Sequence, residues 1–157
     1  MRKGYSYHTG IGPITLWEEE GYLVAMHFGK EEKTSGEYRL EETSVIKKGY
    51  EQLEQYFQGK RRAFDIPLRP RGTEFQRRVW AALLDIPYGE TRSYKEVAIK
   101  IQRPKAFRAV GLANNKNPLP IIIPCHRVIG SDGRMVGYGG GLKIKETLLH
   151  LESPKNH

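Results

Sequence analysis

The 157 residues contain one cysteine, Cys125. No internal disulfide can form, and a structural zinc site, which usually draws on several Cys or clustered His ligands, has no ligand set here. The histidines, His8, His27, His126, His150 and His157, include no pair at metal-ligand spacing. Long hydrophobic runs are missing as well: nothing approaches the roughly 20 consecutive apolar residues of a membrane-spanning helix. The start, Met1-Arg2-Lys3-Gly4-Tyr5, leads into a polar, strand-like segment without the apolar core of a signal peptide. The expectation is a cytoplasmic protein built on an apolar core, with no cofactor, no protein metal site and no membrane contact.

Negative charge is scarce in one part of the chain. The net charge is +8, and it is unevenly spread. Residues 1–59 carry 7 Lys/Arg against 10 Asp/Glu, residues 60–116 carry 14 against 5, and residues 117–157 carry 5 against 3. The excess therefore belongs to the middle of the chain, as in an electrostatic footprint on nucleic acid. A solvated basic face would give the same count, so charge alone leaves both readings open.

The first third reads as a small sheet and a helix. Tyr5 to His8, Ile14 to Glu19 and Tyr22 to Phe28 are strand-like, separated by turns at Gly10, Gly12-Pro13 and Glu20-Gly21. Thr43 to Gln58 places Ile46, Tyr50, Leu53 and Phe57 at helical spacing, with Gly59 closing the helix. Phe64, Ile66 and Leu68 alternate like a further short strand. Residues 67–72, Pro-Leu-Arg-Pro-Arg-Gly, have the composition of a linker.

Behind it, Thr73 and Gln76 form a capping box that opens a helix running to about Ile86. A second capping box, Ser93 with Glu96, opens another helix, and Pro104 starts a third that runs to about Ala113. Two short helices joined by a tight turn over Ile101 to Pro104 read as a helix-turn-helix with Pro104 to Ala113 as recognition helix. Ala106, Ala109 and Gly111 would let that helix approach a ligand closely while Arg108 projects beyond them, although helix packing also favours small residues. Ile121 to Ile123 form a buried run ending at Pro124, the glycine-rich segment 137–141 reads as a loop or wing, and Leu142 to Leu151 as a closing helix with Leu148 and Leu149 inward.

A lone cysteine is commonly a small buried hydrophobe. Here His126 and Arg127 follow it directly, offering proton-accepting and positive groups that favour a thiolate. Pro124 fixes its backbone, and segment 137–141 supplies bare amides for a pocket. The pattern suits an activated nucleophile beside a ligand slot.

Pro124-Cys125-His126-Arg127-Val128 resembles the active-site signature of the O6-alkylguanine-DNA alkyltransferases, or methylated-DNA–protein-cysteine methyltransferases. The resemblance extends from about Thr73 to Glu152. It takes in segment 86–91 (Ile-Pro-Tyr-Gly-Glu-Thr), Ser93-Tyr94, Arg108-Ala109-Val110-Gly111, Asn117-Pro118, Gly137-Tyr138 and Gly140-Gly141-Leu142. The first third is similar, more loosely, to the family's ribonuclease-H-like domain. The implied fold is α+β: a supporting ribonuclease-H-like domain of sheet and helix over 1–68, the linker 67–72, and a winged helix-turn-helix domain over 73–157 that binds DNA and accepts the alkyl group.

The resemblance implies a substrate, double-stranded DNA containing O6-alkylguanine, and a monomer with no obligate protein partner. It makes Cys125 the alkyl acceptor, His126 a base acting through a bound water, and Glu152 the group that orients His126. Side chains alternate in extended chain, so His126 is expected to point away from the Cys125 sulfur. Tyr94 would donate a hydrogen bond or proton to N3 of the departing guanine. Arg108 would enter the stack from the minor groove in place of the flipped nucleotide, with Ala109, Gly111, Thr73, Ser93 and Tyr94 also on the DNA side. Asn117 would tie the helix-turn-helix to the active-site loop. Tyr138, the Gly139 amide and the Val128 and Cys125 carbonyls would line the pocket. Two departures stand out: Gly139 occupies a position where some relatives carry Ser, and the first third lacks the Cys and His ligands of relatives with zinc.

A carbon–sulfur thioether resists thiol exchange, so such a protein acts once. The alternative is a DNA-binding protein that senses alkylated bases without transfer, although relatives of that kind replace the acceptor cysteine. A plain helix-turn-helix transcription factor or a cysteine hydrolase would leave part of these motifs idle.

Overall fold

The computed structural model describes residues 1–30, 37–130 and 141–153. The chain divides into two compact units, Met1–Arg71 and Gly72–His157. No helix among the described residues is long and apolar enough to cross a membrane.

In the first unit, β1 (Arg2–Thr9), β2 (Gly12–Glu19) and β3 (Tyr22–Phe28) form an antiparallel meander. A short β4 (Tyr38–Leu40) joins β1 in parallel, giving the order β3-β2-β1-β4. β2 is buried from Ile14 to Glu18, as befits a central strand covered on both faces. Helix α1 (Ser44–Phe57) starts at Thr43, whose hydroxyl accepts from the Ile46 amide, and turns Ile46, Gly49, Leu53 and Tyr56 inward. Spacings of three and four residues put these side chains on one face. That face lies on the sheet, and Gly49 allows the approach, since a β-carbon there would stand 3.0 Å from Leu23.

Two expectations for this unit change. Phe64 to Leu68 is not a strand: only Leu68 bridges to Leu23. The pairing goes through backbone, with Leu23 N donating to Pro67 O (2.9 Å) and Arg69 N to Leu23 O (2.9 Å). Residues 67–69, read from composition as linker, are thus tied to β3.

The second unit is mainly helical. Helix α2 (Glu74–Leu84) carries the Thr73–Gln76 capping box and buries Val79, Trp80 and Leu83. Strand β5 (Arg92–Ser93) leads into α3 (Tyr94–Lys100), capped by the Ser93–Glu96 box. Helix α4 is Phe107–Asn115, starting and ending later than the composition suggested. Pro104 lies before it, in a turn closed by Ala106 N donating to Arg103 O (2.9 Å). Trp80 pins α2 to α4 by donating from Nε1 to Ala113 O (2.9 Å) within the core. A 3-10 turn (Cys125–Arg127) follows, then β6 (Val128–Ile129), parallel to β5, and α5 (Leu142–Leu151). Most of the expected wing, including Tyr138 and Gly139, lies outside the described residues.

Gly4 faces Trp17 across β1 and β2, and a β-carbon on it would come within 2.4 Å of the indole. Trp17 is buried and cannot swing into solvent. Gly4→Ala should therefore cost about 1–3 kcal/mol as overpacking, read as a lower denaturation midpoint of the purified protein. A midpoint equal to that of the parent would mean that the indole has room to shift.

Candidate active site

The residues singled out by the cysteine motif converge at the end of a strained loop. Ile121 adopts φ +74° although it is β-branched, a conformation that persists only where packing dictates it. It is buried, and Ile123 N donates to Leu119 O (2.9 Å) across the bend. Pro124 then sits at φ −79°, ψ 64°, with Cys125 N donating to Ile123 O (2.7 Å): an inverse γ-turn, for which the fixed proline φ is suited. Two asparagines hold this loop. Asn117 donates from Nδ2 to Ile123 O (2.8 Å) and accepts from Leu119 N (3.0 Å). Asn114, inside α4, donates to Cys125 O (3.3 Å) and is buried. Asn114 was not foreseen from the sequence, where a polar residue near the end of a basic helix reads as surface.

Cys125 is buried and begins the 3-10 turn. The backbone at Cys125 and His126 is therefore not extended, as the sequence reading supposed. Their side chains diverge because a three-residue turn steps by about 120° per residue. His126 is fully buried, with Nε2 2.7 Å from Oε2 of Glu152, the residue that ends α5. An ionised carboxylate only accepts, so Nε2 carries the proton and donates. Nδ1 has no hydrogen-bond partner among the described residues and presents its lone pair.

Arg127 completes the cluster. Its Nε and Nη2 donate to the two Glu152 oxygens (2.7 and 3.0 Å), and Nη1 donates to Ile86 O (2.8 Å). The sequence motif suggested that this cation favours a thiolate; the geometry spends it on the carboxylate. Glu152 being matched in charge, protonating His126 would bury an uncompensated cation. Burial accordingly depresses the His126 pKa, against the opposing pull of Glu152, and keeps the ring neutral. Gly89, at φ +81°, passes close to this residue: a β-carbon there would stand 3.1 Å from Glu152 O.

Lys145 was also missed. It is completely buried and donates from Nζ to Val128 O (2.6 Å), so this expected pocket carbonyl already has one partner. Desolvation lowers its pKa, while negative charge on Cys125 raises it. The signal was available, since Lys145, Leu148 and Glu152 are three, four and seven residues apart and share a helix face.

The parallel pairing of Arg92 with Val128 and Ser93 with Ile129 brings the start of α3 beside the cysteine loop. Tyr94 is the first residue of α3, and its ring lies 3.7 Å from where a Gly111 β-carbon would be. Burial raises the Tyr94 pKa, and charge on Cys125 raises it further. Cys125, Lys145 and Tyr94 thus share one electrostatic neighbourhood. Thr73 and Ser93 use their hydroxyls as helix caps, accepting from Gln76 N and Glu96 N (both 3.1 Å). Arg108 and Ala109 are exposed on α4, apart from the buried cluster. Among the described residues no group of three or more His, Cys, Asp or Glu side chains is placed to hold a metal.

Comparison with known proteins fits this arrangement. The 6-O-methylguanine DNA methyltransferase ribonuclease-like domain matches residues 1–70, and the DNA-binding domain of the same methyltransferases matches residues 74–154. A Methanosarcina barkeri methylated-DNA–protein-cysteine methyltransferase is 54% identical over 144 residues, 90% of this chain and 91% of that one. A Mycobacterium tuberculosis protein of the same name is 47% identical over 146 residues, 92% and 88% of the two chains. The crystal structure of Mycobacterium tuberculosis OGT in complex with DNA superposes with a TM-score of 0.89 at 44% identity, covering 98% and 96%. The chain belongs to the 6-O-methylguanine DNA methyltransferase family, with its α+β pairing of a ribonuclease-like and a DNA-binding domain.

The neutral His126 gives a pH signature. Unfolded, it binds a proton near the ordinary value of 6.5; folded, it resists. Below that pH the unfolded state holds more protons, so stability falls with acidification. Denaturation midpoints followed from about pH 7.5 to about 5 should decline with a one-proton component that His126→Gln lacks. An identical decline in the variant would assign the titration elsewhere.

Proposed function

We propose that this chain repairs double-stranded DNA by a single, irreversible transfer of the alkyl group from O6 of guanine to the sulfur of Cys125, the damaged nucleotide having been turned out through the minor groove. Methyl transfer from damaged DNA to a protein cysteine is the activity that its family membership carries. The observation that bears most on the mechanism is the tautomer of His126: neutral, Nε2–H committed to Glu152, and a bare buried Nδ1. That nitrogen takes the thiol proton through one bound water, in function a relay like that of serine hydrolases.

The thiolate attacks the alkyl carbon in line. The S–C bond forms as the C–O6 bond breaks, and the electron pair leaves with guanine. Tyr94 is kept protonated by burial and by the anionic cysteine, and it delivers a proton to N3 of the departing base. Lys145 orients the Val128 carbonyl, whose second lone pair is left for the exocyclic amine. Outside the pocket, α3, the turn and α4 act as a helix-turn-helix: exposed Lys105 and Lys116 meet phosphate, and Arg108 fills the space of the flipped nucleotide.

Incubation of the protein with a duplex carrying O6-methylguanine should add the mass of one methyl group per chain, and no more. Cys125→Ser should abolish the addition while retaining DNA binding. Turnover beyond one equivalent, an active serine variant, or binding without any mass change would each overturn the proposal, the last in favour of a sensor that does not transfer.

Tyr94→Phe removes the proton and keeps the ring against Gly111. Single-turnover rates on the same duplex should fall by about 10²–10⁴-fold, the usual worth of a positioned acid. An unchanged rate would reduce Tyr94 to a packing residue.

A further inference from the structure

Leu112 presents the most exposed large apolar side chain among the described residues, at 68% of its full accessibility. It stands on α4, whose buried residues are Val110, Ala113 and Asn114. At about 100° per residue, Leu112 lies roughly 160° from both Val110 and Asn114, so it points away from the core. Arg108 lies one turn earlier on the same face. Exposed Ala109 and Lys116 flank that face, and Lys105 stands just ahead of the helix. An aliphatic side chain at the outermost position of this helix, with Arg108 on the same face and Lys105 and Lys116 just beyond its ends, adds nothing to the core from which it points away.

We propose that Leu112 is a minor-groove wedge: it packs against deoxyribose and the edge of a base step beside the point where Arg108 enters, and helps to unstack the damaged nucleotide. The inference rests on the repair reading given above. Apolar wedges at base steps act in this way, trading unstacking for contact area. The surroundings select the occupant. Lys105 and Lys116 are complementary to the phosphates that wall a groove, and the small Ala109 beside Leu112 lets the helix come close. The same cations would repel an identical face on a second copy of this chain.

The test compares the transfer rate on a duplex with one O6-methylguanine against the rate on free O6-benzylguanine, which has no stack to open. Leu112→Ala should lower the ratio roughly tenfold, as expected from the loss of one buried aliphatic side chain. Alanine favours helix at least as well, so the fold is not at risk. Leu112→Gln, similar in length but polar, should behave like alanine, and Leu112→Met should keep most of the ratio. The slope of log affinity against log salt should stay the same, since no phosphate contact is lost. A parental ratio in Leu112→Ala, full function in Leu112→Gln, or self-association in sedimentation that disappears with Leu112→Ala would overturn the inference. Parent protein that fails on the duplex altogether would instead sink the repair reading.

Discussion

A carboxylate removed from water is tolerated only when its charge and lone pairs are matched, and much of the second unit is arranged around one such group. Glu152 ends α5 in the interior, where both oxygens are taken up by Arg127 and one also by His126. The remaining guanidinium nitrogen reaches the Ile86 carbonyl, just beyond α2. One ion cluster therefore joins the last helix, the cysteine turn and the end of the first helix of the unit. It also decides the chemistry of the histidine. With Glu152 neutralised by Arg127, the imidazole stays uncharged and its free nitrogen is a base. Replacing the arginine would alter the protonation of a neighbour as well as remove a contact.

Around this cluster the loop bearing Cys125 is held through its main chain. Side chains from α4 and from the loop after it clasp the carbonyls of Cys125 and Ile123, and a lysine from α5 clasps that of Val128. Backbone so restrained can carry a β-branched residue at positive φ and a γ-turn in succession, neither of which a free loop would keep. The sulfur is thus positioned through restraints on the main chain that carries it.

Local chemistry made much of this readable in advance. Both capping boxes, at Thr73 and Ser93, start helices where their side chains predict, and α5 has the bounds that its apolar spacing gives. The cysteine motif and Glu152 pointed to one another through family resemblance. What stayed hidden depends on distant contacts. β4 is three residues long and gains its order from pairing with β1. Phe64 to Leu68 alternates correctly but finds a single bridging partner. Lys145 and Asn114 are polar residues whose burial makes sense only once carbonyls from other segments are beside them, and the turn at Cys125 is set by the proline and the loop before it.

The position of Glu152 along the chain has a further meaning for the life history of the protein. Cys125, His126 and Arg127 precede by about 25 residues the carboxylate that holds the last two in place. A nascent chain that has not reached residue 152 holds a histidine and an arginine without the carboxylate that both of them bind. Order at the cysteine turn is consequently a late event in biosynthesis, reached only once α5 has been made and can fold back onto it.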